Sequence, residues 1–573
     1  MKKKVLLLVA LVAVFGLALT ACGNNDEPST AGNDGGGETP TQAPGDNGGD
    51  TAGETPEAPT QINGFAVPDI PGFPLAEPLT VRVMGPHVGA SDWEDMAFWQ
   101  SISAATNMQF EFITPSNQDF LTNLNLAFVT GELPDMFFGS SLSAAQQMEH
   151  GSVGTLIPLQ DLVANYGPNI SGWFNELPHM VNSITAPDGN IFALPTIDQS
   201  FSAIWPVGPV YWNGSWLEAL DAEVPRTIED FTALLFRMRD EMPDILGVSH
   251  VYPISATDEM TWLRVWLISI WGMAGRGVEA TDGVVVHNAT TEAYRAYMEW
   301  MNMAFEEGLI HPEIFTLSGD MQGALGRENR IGLFQAWHSY GFLDTDQENG
   351  MTNPIIRPIT SEWSPNGVLP RSPGFSFGQF AITDRASNPE ALVRLFDWFY
   401  TEEGAVFANH GPEGAFWEYA EHAVTGETVR VFTAAVDPED GQARGRFTPY
   451  FGFPAPQLIP QAVMPPVLRD IYQEQDTRFI DWLREETFAT MGTYGKVAMP
   501  PAMLTEEEVQ RIQTINADVN MELNRQEAAF ITGLTPLNDD TWQAFQDALV
   551  ANGVEAVVEV WQAAHTRWLA GAQ

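Results

Sequence analysis

One five-residue stretch has the spacing of a serine nucleophile. Gly374 to Gly378 reads Gly-Phe-Ser-Phe-Gly, which matches the Gly-x-Ser-x-Gly elbow of α/β-hydrolases. That elbow needs a strand that ends at the serine and a helix that begins directly after it. Here Gln379–Ile382 continues with strand-like composition, and the next helical pattern begins only near Asn388. We therefore predict that Ser376 is not a nucleophile, and we assign no catalytic residue.

Motifs for metals and nucleotides are incomplete. The triplet His-Pro-Glu at His311 has no Pro-Cys-x-x-Cys partner, and His-Glu-x-x-His does not occur. After the amino-terminal lysines only Lys496 remains, and Val497 follows it, so the Gly-Lys-Ser/Thr end of a P-loop is missing. We predict no metal, no cofactor and no nucleotide-hydrolysing motor of this kind.

The chain has a single cysteine, Cys22, which cannot form an internal disulfide. Lys2 to Lys4 give a positive start and Val5–Leu19 is apolar, as in the n-region and h-region of a secretory signal. This run is shorter than the roughly 20 residues of a spanning helix. Leu-Thr-Ala-Cys, ending at Cys22, resembles the lipobox of bacterial lipoproteins. We predict a signal peptide over residues 1–21 and a lipid on Cys22, rather than an ordinary signal peptide with a chance cysteine.

The residues that follow Cys22 cannot build a core. Gly23–Gln61 contains eight acidic residues and no basic one, and it has too little apolar surface to offset the entropy of ordering. A Gly-rich coil of about 40 residues spans roughly 35 Å. Residues 22–63 are therefore predicted to be the lipidated cysteine and a disordered acidic tether, holding the body on the extracellular face of the cell membrane.

The charge of the chain excludes one class of partner. Its 26 basic and 74 acidic residues give a formal net charge of −48. Nucleic-acid binding needs clustered lysine and arginine to replace counterions on phosphate. We predict that the protein binds no nucleic acid.

Strand and helix patterns alternate at the start of the body. Single helices between strands imply right-handed βαβ units and a parallel sheet, so an α/β fold is predicted. Ligands bind beyond the carboxyl ends of such strands, which here are followed by Gly85–Trp93 and Gly139–Ser143. The strands are expected at Leu79–Met84, Met108–Phe112 and Asp135–Phe138, and the helices at Asp92–Ala105 and Phe120–Phe128.

Longer helical patterns follow, so the later part of the chain is predicted to be helix-rich. They are expected at Thr227–Met242, at Thr291–Glu307, at Asn388–Tyr400 with proline in the first turn, and up to Phe530 after a capping box of Thr505 with Glu508.

Several segments carry a family resemblance. They include GELPDMFFGS, DGNIFALP, WLEALDAEVPRTIEDFTALL, YMEWMNMAFEEGLIHPEIF, FGQFAITDRASNPEALVRLFDWFY, HGPEGAFWEYA and FITGLTPLNDDTWQAFQDAL, in this order. Together with the lipobox they resemble the large lipoprotein branch of the extracellular solute-binding proteins of sugar ABC importers. The resemblance covers about residues 78 to 573. Many relatives carry an acidic loop, plausibly calcium-binding, after the segment matched by Thr227–Met242; here only Glu241 and Asp244 are available, so we expect no metal there.

The resemblance implies a periplasmic-binding-protein-like fold with two α/β lobes and a cleft between them. Lobe 1 is expected to contain residues 78–203 and 377–440, and a helix-rich lobe 2 residues 204–376 and 441–573. It also implies a lipid-anchored monomer that captures an oligosaccharide or glycan fragment and delivers it to ABC permease subunits with a separate ATPase. Two alternatives remain open: a surface-anchored glycan-active enzyme, and a ligand receptor for a membrane sensor kinase.

Tryptophan rings outside helices are the main candidates for ligand contact, because aromatic faces suit the apolar faces of sugar rings and nearby polar groups take the hydroxyls. Trp337 follows a strand-like segment, as a sugar-stacking tryptophan does in maltodextrin-binding relatives. By contrast, Trp300 and Trp561 lie on apolar helix faces and are expected in the core. The candidate ligand-binding residues are Trp93, Ser140, Asp198, Trp205, Asp258, Trp337 and Arg371.

Replacing Cys22 by alanine tests the anchor. Cys22→Ala should move the protein from the membrane fraction to a soluble or unprocessed form, because the sulfur that carries the lipid is gone. Membrane fractionation with immunoblotting measures this. Unchanged fractionation of the variant would rule out the lipid anchor.

Overall fold

The computed structural model describes residues 57–88, 90–257, 260–437, 440, 443–449, 457–459, 467–473 and 476–571. Cys22, nearly all of the expected tether and Asp258 lie outside these residues. Among the helices that are described, none is both long and apolar enough to cross a membrane.

The strands are short, and half of them belong to the two sheets described below. They are β1 Gln61–Ile62, β2 Phe65–Ala66, β3 Leu79–Met84, β4 Met108–Ile113, β5 Met136–Phe138, β6 Leu194–Asp198, β7 Val210–Trp212, β8 Tyr252–Ile254, β9 Val278–Thr281, β10 Val284–His287, β11 Ile331–Gln335, β12 Leu369–Pro370, β13 Phe375–Ile382, β14 Trp417–Glu421, β15 Thr428–Phe432, β16 Leu458–Ile459, β17 Val467–Leu468 and β18 Gly495–Lys496.

The helices become longer toward the carboxyl terminus. They are α1 Ala97–Thr106, α2 Phe120–Thr130, α3 Ala144–Ser152, α4 Gln160–Tyr166, α5 Pro168–Glu176, α6 Pro178–Ile184, α7 Gly214–Ala219, α8 Ile228–Leu246, α9 Thr261–Leu267, α10 Glu292–Glu306, α11 Gly319–Arg327, α12 Ser339–Leu343, α13 Gln347–Met351, α14 Pro389–Phe399, α15 Glu402–His410, α16 Arg478–Tyr494, α17 Glu506–Ile531, α18 Asp539–Ala551 and α19 Val554–Gly571.

Sheet A has the strand order β16-β6-β13-β5-β3-β4. Strands β3, β4 and β5 are parallel, with Leu79 opposite Met108 and Val83 opposite Met136. This confirms the predicted α/β start of the body. Strand β13 runs antiparallel to both β5 and β6, so its first residue, Phe375, lies beside Ile197 near the carboxyl end of β6.

Sheet B has the order β7-β11-β8, with β11 parallel to β8 and antiparallel to β7. Its core packs against α8 and α10, where Phe231 lies 5.6 Å from Trp212 and 5.7 Å from Trp300 between ring centroids. Trp300 is 9% exposed and its indole N–H donates to Thr232 Oγ1 at 2.9 Å. The prediction that Trp300 is a core residue is confirmed.

Several helices begin directly after capping residues that can be recognised in the sequence. Thr227 and Thr291 accept the backbone N–H three residues ahead at the starts of α8 and α10. Thr505 and Glu508 form the predicted capping box at the start of α17. These caps satisfy backbone donors that a helix leaves unpaired in its first turn.

The division of the chain between the two bodies differs from the expected one after residue 440. Strand β16 pairs with β6 and so belongs to sheet A, and β17 pairs with β15 beside the same body. Phe447 packs on Phe416 with ring centroids 5.7 Å apart. These residues were expected in lobe 2, but their apolar side chains find their partners in the first body.

A buried carboxylate ties α17 to the second body. Glu527 is 1% exposed and pairs with Arg264 at 2.5 Å and Arg276 at 3.2 Å. Tyr294 donates its hydroxyl hydrogen to Glu527 at 2.6 Å. Burial alone would raise the pKa of Glu527, but the two guanidinium groups outweigh it and the pKa is lowered. The carboxylate therefore remains charged inside the core.

Removing this charge should be costly. Glu527→Gln leaves two guanidinium groups without their anion, and we expect a loss of about 3 kcal/mol in the free energy of unfolding. Because the folded pKa is depressed, the wild-type advantage is complete above the ordinary glutamate pKa of about 4.3 and disappears as pH falls below it. Urea unfolding at several pH values measures both effects.

The control is Glu299→Gln, which removes a carboxylate that is 54% exposed and pairs with Arg295 on the surface. It should cost less than about 1 kcal/mol. Equal losses for the two variants, or a loss that does not depend on pH, would contradict the assigned role of Glu527.

Candidate ligand-binding site

The carboxyl edge of sheet A presents hydroxyl and amide groups. The β5–α3 loop follows β5, and the first residues of β13 lie at the same edge because β13 runs in the opposite direction. Gln379 Nε2 donates to Ser141 Oγ at 3.1 Å, and the Gly139 N–H donates to the Gln379 carbonyl at 2.7 Å. The loop and β13 therefore form one connected polar surface.

A bulge in β13 brings the loop close. The pairing register shifts between Ser376 and Phe380, and Gly378 between them has φ 62°. A Cβ atom at Gly378 would overlap the carbonyl oxygen of Leu142, whose N–H donates to the Gly378 carbonyl at 2.9 Å. Only glycine fits this positive φ and this close approach.

A cavity of about 420 Å³ lies between this edge and the carboxyl-terminal helices. We call it the inter-lobe cavity, because sheet A supplies one wall while α19 packs against α17 and β10 of the second body. Gln562 of α19 accepts the Val285 N–H of β10 at 2.8 Å, which fixes that second wall. The cavity is lined by Ser141, Leu142, Ser143, Ala144, Ser376, Phe377, Gln379, Pro501, Ala502 and Trp561.

Two predicted polar residues lie at the carboxyl ends of strands. Ser140 follows β5, is 5% exposed, and its Oγ has no hydrogen-bond partner among the described residues. Asp198 ends β6, and its carboxylate accepts the Ser200 N–H at 2.9 Å. Burial raises the pKa of Asp198, and the Ser200 hydrogen bonds offset only part of that. A buried hydroxyl without a partner and a desolvated carboxyl are both suited to bind hydroxyl groups of a ligand.

Trp337 presents the most accessible indole at the carboxyl edge of sheet B. It follows β11 by two residues, its side chain is 53% exposed, and Tyr211 donates its hydroxyl hydrogen to the Trp337 carbonyl at 3.4 Å. Gly208 has φ 92°, and a Cβ there would overlap the Gln335 side-chain amide and lie 3.7 Å from the Trp337 ring. The Trp337 indole is therefore exposed beside a close contact between Gly208 and Gln335, and its role in stacking on a ligand stays a prediction.

Chain crossovers run between the two edges. Ser372 donates its N–H to the Ile204 carbonyl at 3.0 Å, and Asp198 donates its N–H to the Gly374 carbonyl at 3.0 Å. Arg371 is exposed beside this junction, and its N–H donates to the Lys496 carbonyl at 2.8 Å. The structure thus places Arg371 and Asp198 on adjacent crossover segments.

Two predicted stacking residues are buried instead. Trp93 is 1% exposed, with Trp99 stacked at 5.3 Å and Phe138 edge-on at 5.5 Å. Trp205 is 3% exposed, and its indole N–H donates to Thr487 Oγ1 at 3.0 Å. Their assignment as exposed ring faces is wrong, because each indole is covered by side chains of the lobe to which it belongs. Each ring packs beneath the loop or crossover that carries it.

The sequence pattern indicated the burial of Trp93, but it did not indicate that Trp561 lines the cavity. Trp93 shares helical spacing with Met96 and Ala97, and that pattern already favoured burial. Trp561 was expected in the core, but it is half-buried and lines the inter-lobe cavity. Its position there depends on how α19 packs across the cavity, which periodicity within one helix does not reveal. Asp258 lies outside the described residues.

The serine elbow and a metal centre find no support in the geometry. Strand β13 continues for six residues beyond Ser376 to Ile382, and the next helix begins at Pro389. The strand-to-helix turn of a nucleophile elbow is therefore not formed. Within the described residues, no group of three or more histidine, cysteine, aspartate or glutamate side chains is placed to hold a metal ion.

Comparison with known proteins identifies similar chains. A family model described as bacterial extracellular solute-binding protein matches residues 90–406. The chain is 23% identical over 512 residues to the fructooligosaccharide ABC transporter substrate-binding protein FusA of Streptococcus pneumoniae, an alignment that covers 86% of this chain and 90% of FusA. It is 18% identical over 365 residues to lipoprotein LipO of Bacillus subtilis, covering 60% of this chain and 69% of LipO.

Among solved structures, an HMO binding ABC-transporter associated solute binding protein from Bifidobacterium longum infantis superposes with a TM-score of 0.68 at 19% identity. The superposition covers 86% of this chain and 99% of that one. It shows the two-lobed fold of solute-binding proteins that was predicted.

Replacing two tryptophans by alanine should distinguish a buried packing residue from an exposed ring. Trp300→Ala removes a ring packed between Phe231 and Trp271, and should cost about 3–5 kcal/mol of unfolding free energy. Trp337→Ala removes a half-exposed ring, and should change it by no more than about 0.5 kcal/mol. Urea unfolding measures both. A large loss for Trp337→Ala would show that this ring is a packing residue and not a free surface.

Proposed function

We propose that this chain, which belongs to the bacterial extracellular solute-binding proteins, captures an oligosaccharide outside the cell and delivers it to an ABC importer. The importer would consist of permease subunits and a separate ATPase. The chain acts as a monomer, since its high net negative charge disfavours association of copies. The observation that carries the proposal is the half-exposed Trp337 ring at the edge of one lobe, with hydroxyl and amide groups at the edge of the other.

The chemistry of the two edges favours a neutral, hydroxyl-rich ligand. An exposed indole offers an apolar face to a sugar ring, while Ser141, Gln379 and the unpartnered Ser140 hydroxyl can exchange hydrogen bonds with sugar hydroxyls. A cavity of about 420 Å³ lies within the range of small-molecule sites. The names of FusA, which refers to fructooligosaccharides, and of the HMO binding protein support a carbohydrate ligand.

The membrane anchor is the second part of the proposal. Cys22 follows a signal-like segment, and a tether of about 40 residues separates it from the body, a reach of roughly 35 Å. LipO, a related chain, is named a lipoprotein. A lipid on Cys22 would keep the receptor within reach of the permease on the extracellular face of the membrane.

The proposal treats the chain as a receptor and not an enzyme. Ser376 lies inside β13, and not at the strand-to-helix turn on which a nucleophile elbow depends. FusA is named a substrate-binding protein, and the Bifidobacterium protein a solute binding protein. A glycan-active enzyme would instead need an acid and a base or nucleophile facing a bound sugar.

Thermal-shift measurements with fructooligosaccharides and other neutral oligosaccharides test the proposal. A ligand at about 100 times its dissociation constant contributes roughly 2.7 kcal/mol, which raises the melting temperature by a few degrees. Trp337→Ala should lose most of that shift. Tyr419→Ala, which removes a ring that is 56% exposed elsewhere on lobe 1, should keep it.

Mass spectrometry of the recovered oligosaccharide completes the test. Intact sugar after prolonged incubation supports capture, whereas shortened products would support the enzyme alternative. If none of the sugars stabilises the parent protein, carbohydrate capture is disproved for that set. If Trp337→Ala shifts as the parent does, the placement of the site at Trp337 is wrong.

A further inference from the structure

A second cavity lies on lobe 1, apart from the sugar site. It has a volume of about 470 Å³ and is formed by the loop after β2, the start of α15 and strand β14. We call it the β14 cavity. Phe407 and Trp417, 6% and 5% exposed, contribute its apolar side, and Tyr419, 56% exposed, forms its aromatic rim. The Trp417 and Tyr419 rings meet edge to face with centroids 5.0 Å apart.

The rest of the lining is strongly acidic. Asp69, Glu402, Glu403 and Glu413 all line the cavity. Within the described residues none of these four carboxylates forms an ion pair, although many other acidic side chains of the protein do so. The Arg430 guanidinium already lies over the Trp417 ring, 5.4 Å from its centroid, so Tyr419 is the ring of this cavity that is open to a ligand. An exposed ring beside several carboxylates attracts an organic cation, because the ring face and the anions both stabilise positive charge.

Two occupants are disfavoured by charge. The chain's own tether carries eight acidic residues and no basic one between Gly23 and Gln61, so it is repelled by this rim. A second copy of the protein, with 74 acidic against 26 basic residues, is repelled as well. The complementary partner is therefore a different molecule that exposes positive charge.

The position of the cavity in lobe 1 limits which positively charged partner can reach it. The chain enters the body through β1 and β2, and the Ala66 N–H donates to the Glu413 carbonyl at 2.7 Å, so the entering segment forms one wall. If Cys22 carries the lipid, the segment that forms this wall is the part of lobe 1 nearest in sequence to the membrane anchor.

We propose that the β14 cavity binds an arginine or lysine side chain from an extracellular loop of a membrane protein partner, and that this contact docks lobe 1. The proposal rests on the proposed function, because the partner that receives the sugar is a permease. The charged head lies among the carboxylates, and the aliphatic stem lies along Tyr419.

The first test uses N-acetyl-arginine amide as a probe and fluorine NMR of protein labelled with 3-fluorotyrosine. The Tyr419 resonance, assigned with Tyr419→Phe, should shift saturably with the arginine probe. The neutral isostere N-acetyl-citrulline amide should act about tenfold more weakly or not at all. Added salt of about 0.5 M should weaken the arginine effect, since charge carries it.

Matched variants test the acidic rim. Glu402→Gln with Glu403→Gln removes two negative charges from the cavity and should weaken the arginine probe by about tenfold or more. Glu418→Gln with Glu421→Gln removes the same charge from exposed positions on β14 that do not line the cavity, and should leave the probe unaffected. Equal effects of citrulline and arginine, or no response of Tyr419 to arginine, would overturn the proposal.

The second test separates a protein partner from the lipid surface. Vesicles of phosphatidylcholine carry a quaternary ammonium headgroup, and a Tyr419 response to them but not to the arginine probe would overturn the proposal. In cells that take up the sugar, the Glu402→Gln, Glu403→Gln protein should retain its sugar-induced thermal shift but support uptake about tenfold less well. Uptake equal to that of the parent would overturn the docking role, while failure of the parent itself to bind sugar would count only against the proposed function.

Discussion

The crossover segments that join the two lobes are held to each other by backbone hydrogen bonds. Ser372 and Ile204 lie on separate crossovers and share one such bond, and β12 pairs in parallel with β18. Trp205 adds a buried indole hydrogen bond to Thr487 of α16. A change in the separation of sheets A and B would therefore involve a few residues at the ends of these segments, together with the contact in which Trp568 of α19 donates its indole hydrogen to Ser183 of α6 at 2.9 Å.

The local sequence predicted the strands and helices that are stabilised by residues close together in the chain. Strand β3 has the predicted bounds, Leu79–Met84, because its apolar residues alternate against one buried face. Helix α17 starts after Thr505 because its capping box is complete within four residues. The fold class follows from the order of such elements, and it could be predicted before any contact between distant residues was known.

The parts that could not be predicted depend on contacts between distant segments. Strand β16 joins sheet A through two residues paired with Ile197 and Asp198, a contact too short to leave a pattern. Trp205 lies in a proline-flanked loop, and its burial arises from α16 nearly three hundred residues later. Trp561 becomes part of the inter-lobe cavity only through the packing of α19. For the candidate site, strand ends indicated the two edges to consider, but which side chains are exposed at those edges was decided by tertiary packing.

The bulge at Gly378 has an evolutionary consequence. Beyond the bulge, β13 is locked between β5 and β6, with Phe380 paired to both, so those positions tolerate little change. Before it, Ser376 and Phe377 line the inter-lobe cavity, and Ser376 pairs only with Thr196 of β6 and not with β5. A descendant of this protein can therefore exchange the side chains at 376 and 377, and so reshape the cavity, without refolding the sheet, provided that the glycine between the two halves is retained.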